Sequence, residues 1–414
     1  MKLIARCSFN LLLPLFTGGS FFCAMGQTMQ VYNMTNSPLP DNSIHVMAID
    51  TSNALWIGTD NGLVKFYNGI WSIYDSSNSG LTDNYIRALS VSPNGTLWIG
   101  TTLGGLFSFD GSNWAQYNTS NSGIPDNFIR CISAEDSNTV WVGTVEGFAR
   151  LNNQGWTTWN MANAGLLTNN ITSIKADSSG LRYIGTINGG MNYMNSNIIQ
   201  TFTIASSGIP DNSVLAICLD LNNKPWFAST SQGLFTDTGN QTWLSLNVEN
   251  SAIPTNSLTA FSIDSLGNFL IGTHMDGFVI RTVDGDWINY NTTNSSLPES
   301  HVLSVIRGDE STIWIGTYSS GLVKLSLSQT DLLSHLMPSF HLYPNPANGG
   351  GSFFMESTVD IASVSIIDPF GRTITSENFH SKQLKINAPK LPGLYVVRFK
   401  HENQTIYTTR LLVY

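Results

Sequence analysis

The sequence predicts an all-β chain: a seven-bladed β-propeller closed by an N-terminal strand, followed by a small C-terminal β-sandwich. Three observations carry this. First, a Trp-Ile-Gly-Thr block recurs, in full or loosely, at Trp56–Thr59, Trp98–Thr101, Trp141–Thr144, Tyr183–Thr186, Trp226–Ser229, Leu270–Thr273 and Trp314–Thr317. Its third residues lie 42 to 44 positions apart, the period of a four-stranded blade rather than of a helical solenoid. Second, charged residues make up only 11% of the chain, under half of the average of about 25%. Helical solvent faces normally use Glu, Lys and Arg, so this composition favours short strands joined by polar turns. Third, the two ends of the repeat complement each other.

In chain order, Lys2 and Arg6 precede an apolar run through Leu11, Leu12, Leu13, Leu15 and Phe16, and Ala24-Met25-Gly26 offers small residues for cleavage. Residues 1–26 therefore read as a secretory signal peptide. Pro14 and Gly18-Gly19-Ser20 interrupt the run too early for a membrane anchor.

The second unit shows the blade most plainly. Tyr85 to Val91 alternates as strand a, Thr96 to Thr101 is strand b, Leu106 to Phe109 strand c and Trp114 to Tyr117 strand d. Asn94-Gly95, Gly104-Gly105 and Asp110-Gly111 supply the positive φ of tight hairpins. After the seventh block, Gly321 to Leu327 gives strand c and no strand d follows. The missing strand lies at the other end, where Gln30-Val31-Tyr32-Asn33 matches Ala115-Gln116-Tyr117-Asn118. Joining first to last residues closes the ring.

These residues resemble the two-component regulator propeller repeat, whose pattern Ile124–Ser133 with Asn138–Phe148 and Leu81–Leu106 follow. The resemblance covers residues 28–327. It implies an extracytoplasmic module of the kind that recognises glycan fragments, although the kinase and response regulator of signalling relatives have no counterpart in this sequence.

Residues 328–340 read as a linker. Residues 27–330 hold 10 basic and 22 acidic residues, a net of −12, whereas residues 331–414 hold 7 and 6. The second domain, 341–414, opens with His341-Leu342-Tyr343-Pro344-Asn345-Pro346 and carries Gly393-Leu394-Tyr395 before a terminal strand. It resembles the C-terminal sorting domain of the type IX secretion system. That resemblance implies the secretion machinery as a partner, passage through the periplasm and across the outer membrane of a Bacteroidota cell, and a secreted or surface location.

The acidic propeller excludes a phosphate-backbone ligand such as nucleic acid. Neither a cofactor nor a metal is expected. Cys7 and Cys23 leave with the signal, while Cys131 and Cys218 fall two blades apart and are expected as buried free thiols. Gly-x-Ser-x-Gly, phosphate-loop, His-Glu-x-x-His and Cys-x-x-Cys signatures are missing.

A site must then be assembled from several blades. In a propeller the d–a and b–c loops share one face, so the positions after each Trp-Ile-Gly-Thr block are the candidates: Asp60, Leu103, Glu146, Asn188, Gln232, His274 with Asp276, and Tyr318. Their chemistry varies between blades while the strand residues repeat. The pairs Asp41-Asn42, Asp83-Asn84, Asp126-Asn127 and Asp211-Asn212 are expected to serve turns, and the strand-b tryptophans to pack between blades. The sequence therefore favours a monomeric, noncatalytic module binding a glycan, peptide or surface protein. The alternatives are a propeller enzyme, such as a lyase, using His274 with Glu146 as an acid/base pair, and a structural adhesion or gliding component.

Overall fold

The computed structural model describes residues 28–239, 242–327, 340–343, 347–369, 372–400 and 406–414. The expected signal peptide, and the expected linker except Phe340, lie outside these residues. Seven four-stranded antiparallel sheets follow one another along the chain. Their innermost strands are Ile44–Ile49, Ile86–Val91, Ile129–Ala134, Ile171–Ala176, Val214–Leu219, Leu258–Ile263 and Val302–Arg307. Each touches the next and the seventh touches the first. The ring is a closed propeller.

Closure occurs where the sequence places it. Thr28–Tyr32 pairs antiparallel with Leu322–Ser326 of the seventh blade, Val31 opposite Val323 and Tyr32 opposite Leu322. The added strand packs Tyr32 against Phe66 and Trp71 of the first blade and against Trp314 of the seventh.

The four-residue block has a separate job at each position. The aromatic residue fills the gap to the following blade, as where Trp56 packs against Phe109, Trp314 against Phe66 and Trp226 against Phe269. In four blades its polar atom is satisfied by the a–b turn, as where Trp56 Nε1 donates to Asp50 at 2.8 Å and the Tyr183 hydroxyl donates to Asp177 at 3.0 Å, whereas Trp141 Nε1 is buried without a partner. The Thr hydroxyl closes the b–c loop, donating to the carbonyl of Gly62, Gly105, Gly147, Gly190, Gly277 or Gly321. The glycine is a socket. A Cβ at Gly58, Gly100, Gly143, Gly272 or Gly316 would stand 2.5 to 2.8 Å from the side chain that opens the next innermost strand: Ile86, Ile129, Ile171, Val302 and Ile44 respectively. At the one departure from glycine, Ala228, the next strand offers Leu258, whose branch lies one carbon further out.

Low charge has its cause in the d–a loops. Asn33, Asp75, Asn118, Asn160, Thr203, Asn247 and Asn291 each accept a backbone N–H two or three residues on. In two blades this capping nucleates a single helical turn, Met161–Ala164 and Ile204–Ser207, ended by Gly165 and Gly208 at positive φ. The Asp-Asn pairs are turn residues as expected. Asp41, Asp83, Asp126 and Asp211 accept from the N–H two positions on, and Asn42, Asn84, Asn127 and Asn212 accept from the start of the loop.

Cys131 and Cys218 are free. As whole residues they are half-buried rather than buried, because both lie on innermost strands. Their thiols are nonetheless desolvated, and burial pushes them up to about 12 and about 11.

The C-terminal strands are Phe340–Tyr343, Ser352–Ile367, Thr373–Asn387, Gly393–Lys400 and Ile406–Val413. Register breaks between Glu356 and Ile361 divide the long second strand. Its first part pairs with Phe340–Tyr343 and its second with Gly393–Lys400. Both layers of the sandwich thus share one strand, and Phe353, Met355, Val397, Phe399 and Leu411 meet in one core. Gly393–Lys400 alternates exposed and buried residues, with the Tyr395 hydroxyl donating to Leu391 O at 2.8 Å.

Gly100→Ala and Gly316→Ala, each forcing a methyl onto the neighbouring isoleucine, are expected to cost about 1–3 kcal/mol by overpacking. Thermal or denaturant unfolding checks this, and unchanged stability in both variants would contradict the socket role.

Candidate ligand-binding face

Every innermost strand contains the same irregularity. Its pairing with strand b slips by one residue after the first position, between Ile44 and Val46, Ile86 and Ala88, Ile129 and Cys131, Ile171 and Ser173, Val214 and Ala216, Leu258 and Ala260, and Val302 and Ser304. The extra residues are His45, Arg87, Arg130, Thr172, Leu215, Thr259 and Leu303. A β-bulge frees a side chain from the ladder and re-aims it. Here seven bulges stand in a circle, where the innermost strands meet the d–a loops.

Their chemistry is lopsided. Thr172 and Thr259 donate to the backbone carbonyls of Val214 and Val302 in the adjoining blades. Leu215 and Leu303 are apolar. His45, Arg87 and Arg130, from three consecutive blades, carry the polar groups.

His45 lies between an acid and a base. Its Nε2 is 2.5 Å from Asp60 Oδ1, and Arg87 Nη1 is 2.7 Å from its Nδ1. Arg87 Nη1 is also 3.0 Å from Nε2, so the guanidinium lies across both ring nitrogens, while the Asp60 carboxylate accepts from Nε2. Burial first and Arg87 second hold His45 below its ordinary value, against the pull of Asp60. Arg87 also lies over the exposed Tyr85 ring.

A second cluster joins the sixth and seventh blades. His274 Nδ1 is 3.2 Å from His301 Nε2, and the His301 ring stacks on Tyr318 at 4.9 Å. Tyr318 is 54% exposed, enough to offer its ring to a ligand. Burial first and His274 second lower the pKa of His301, with Glu299 opposing. Glu299 itself accepts from the N–H groups of Ser319 and Ser320.

The sequence candidates divide accordingly. Asp60, His274 and Tyr318 directly follow the Thr of their blocks and join these clusters. Glu146 stands one residue further on and accepts from Asn169 at 3.2 Å, in its own blade. Asn188, also one further on, exchanges hydrogen bonds with Ser213. Gln232 and Asp276 come at the third position, their backbone N–H groups bound to Ser229 and Thr273. Leu103 is exposed on a shallow cleft with Thr82, Asp83, Gln116 and Asn127. Sequence reasoning missed His45, Arg87, Arg130 and His301. For the first three the signal was available: a varying residue directly after an apolar one at the start of every strand a.

Residues 341–414 match the family described as Secretion system C-terminal sorting domain, and residues 38–61 and 80–102 match Two component regulator propeller. The chain carries two-component regulator propeller repeats and a type IX sorting domain. The sorting domain marks the propeller for export to the cell surface or beyond it, and implies contact with the secretion machinery. No helix among the described residues is long and apolar enough to cross a membrane. No curated protein matches the sequence.

Among solved structures, the chain is similar to the extracellular domain of the Bacteroides thetaiotaomicron hybrid two-component system BT3049, at 19% identity and a TM-score of 0.63, covering 94% of this chain and 57% of that one. It is similar to PorZ, a surface component of the type IX secretion system of Porphyromonas gingivalis, at 16% identity and a TM-score of 0.59, covering 92% and 61%. Virginiamycin B lyase of Staphylococcus aureus gives 15% identity and a TM-score of 0.58, covering 73% and 100%. The propeller and its sorting domain thus span about three fifths of the first two structures. At these identities the likeness establishes the fold.

His45 and His301 take up a proton less readily in the folded propeller than in the unfolded chain. The stability this confers is present above about pH 6.5, the unfolded value, and is lost as pH falls through the folded values. Denaturant unfolding should show stability falling as pH drops below about 6.5, with a shallower slope in the doubly substituted His45→Gln, His301→Gln chain. An equally steep slope would contradict the assignment.

Proposed function

We propose that residues 27–327 form a noncatalytic recognition module, carried outside the cell by the sorting domain at 341–414 and joined to it by the linker at 328–340. The ligand docks on the d–a and b–c face, over the arc formed by blades six, seven, one, two and three. The observation that carries this is the ring of seven bulges: a repeated backbone device presenting four kinds of side chain, with the basic ones gathered in three consecutive blades. A scaffold feature repeats for stability, whereas a binding surface needs the difference between blades.

The internal pairing of the polar groups supports binding over catalysis. His45 is engaged by Asp60 and Arg87, Glu146 by Asn169, and His274 by His301. The acid/base pair of Glu146 with His274 therefore draws no support from these contacts. The exposed rings of Tyr85 and Tyr318 offer flat apolar contact beside them.

The test is a binding screen of the secreted chain against glycans and peptides, followed by substitution. Arg87→Gln and Tyr318→Ala are expected to weaken the ligand at least tenfold, about 1.4 kcal/mol, with Gln232→Ala close to the parent. A ligand bound equally well by all three variants would place recognition elsewhere.

A further inference from the structure

We infer that the channel mouth contains an oxyanion subsite, centred on Arg130 with Arg87 beside it, that takes the carboxylate or sulfate group of an acidic saccharide. This rests on the recognition role proposed above and specifies its ligand.

Arg130 is the bulge residue of the third blade, and its side chain is only partly exposed. Guanidinium carries five N–H donors, yet the contact it makes is one bond from Nη1 to Asn170 Oδ1, at 2.8 Å. Asn170 orients the group without neutralising it. The other half-buried arginines of the propeller are differently housed. Arg182 is paired with Glu135 at 2.7 Å and Arg307 with Asp264 at 2.7 Å, while Arg150 and Arg281 lie over aromatic rings. Among the described residues, Arg130 has neither a carboxylate within ion-pair reach nor a ring beneath it. A partly desolvated cation is normally paired, and this one stands in a domain with 22 acidic residues against 10 basic ones. Its counter-charge has been left for a ligand.

Arg87 lies at the equivalent bulge of the adjoining blade. Its Nη1 binds His45, and its Nη2 is 3.6 Å from Asp60, but its buried Nε has no acceptor. Asp60 is itself held by His45 and leaves the pair of arginines with positive charge to spare. An oxyanion of three or four atoms accepts from two guanidinium groups at once. Two residues before each arginine stand Tyr85, exposed, and Phe128, half-buried. Tyr85, whose ring Arg87 overlies at 5.5 Å, suits a hexuronate or sulfated hexose, with the sugar on the ring and its anion on the arginines. An acidic peptide would use the arginines and leave the rings idle.

Isothermal titration of the full secreted chain tests this. The probes are tetramers of galacturonate, glucuronate and mannuronate, a sulfated galactose tetramer, the uronate tetramers with their carboxyl groups reduced, and a tetraglutamate peptide. At least one acidic tetramer should bind, its reduced or unsulfated form should bind at least tenfold more weakly, and Arg130→Gln should lose at least tenfold. Arg130→Lys keeps the charge without the fork and should fall between the two; it also reads the site should Arg130→Gln fold poorly by thermal melting. Uronate against sulfate identifies the anion. Equal binding of acidic and neutral tetramers, or parental affinity in both Arg130 variants, overturns the oxyanion subsite and leaves the recognition role standing. Binding of tetraglutamate alone, through Arg130, overturns the saccharide. If a wider glycan and peptide screen also finds no ligand, the recognition role falls with it.

Discussion

A socket the size of one methyl group governs this molecule. In strand b of six blades a glycine leaves room for the Ile or Val that opens the innermost strand of the next blade. The contact sets the distance between blades, and it also determines where the following d–a loop must deliver its chain. Because Gly316 of the seventh blade receives Ile44 of the first, the same contact that spaces the blades also closes the circle. The paired strand Thr28–Tyr32 adds backbone hydrogen bonds to that closure and covers the outer edge of Leu322–Ser326.

The inner edges remain a problem after closure, since each strand a has one side without a partner strand. Hydroxyl and thiol groups reach between blades to meet it: Ser304 Oγ donates to Ile44 O, Ser262 Oγ to Val305 O and Cys218 Sγ to Phe261 O, while Ser90 Oγ accepts from Ala134 N and Ser173 Oγ from Ile217 N. The bulge sits one step along the same edge. In blades four and six its threonine does similar bridging work. In blades one to three the position is released to His45, Arg87 and Arg130. One geometric device is thus structural on one side of the ring and chemical on the other.

Much of this was legible in the sequence. The hairpin turns and the Asp-Asn turns follow from local rules that act within about ten residues, while the period, the displaced seventh strand d and the packing role of the tryptophans follow from the repetition of one unit along the chain. The site was less so, for a physical reason. Alternation in strand a marks which residues are apolar, but a bulge adds one residue without changing composition, so His45 and Arg87 read as ordinary outward positions. The loop candidates were drawn from the first, second or third position after the Thr of each block, and those positions are not equivalent, the less so because the b–c loops have two residues before their glycine in blades one and three and three elsewhere. Glu146 and Gln232 therefore do not stand where Asp60, His274 and Tyr318 stand. His301 precedes a strand in a loop dominated by turn residues, and only its stacking on Tyr318 distinguishes it.

Amide hydrogen exchange on the full chain and on a variant lacking residues 28–32 tests the closed ring most directly. If closure couples the blades, deletion should lower the protection of the slowest amides in strands b and c of all seven blades. Protection lost only in the seventh blade and its immediate neighbours would contradict that coupling, and would show that the sockets hold the blades pairwise without needing a completed circle.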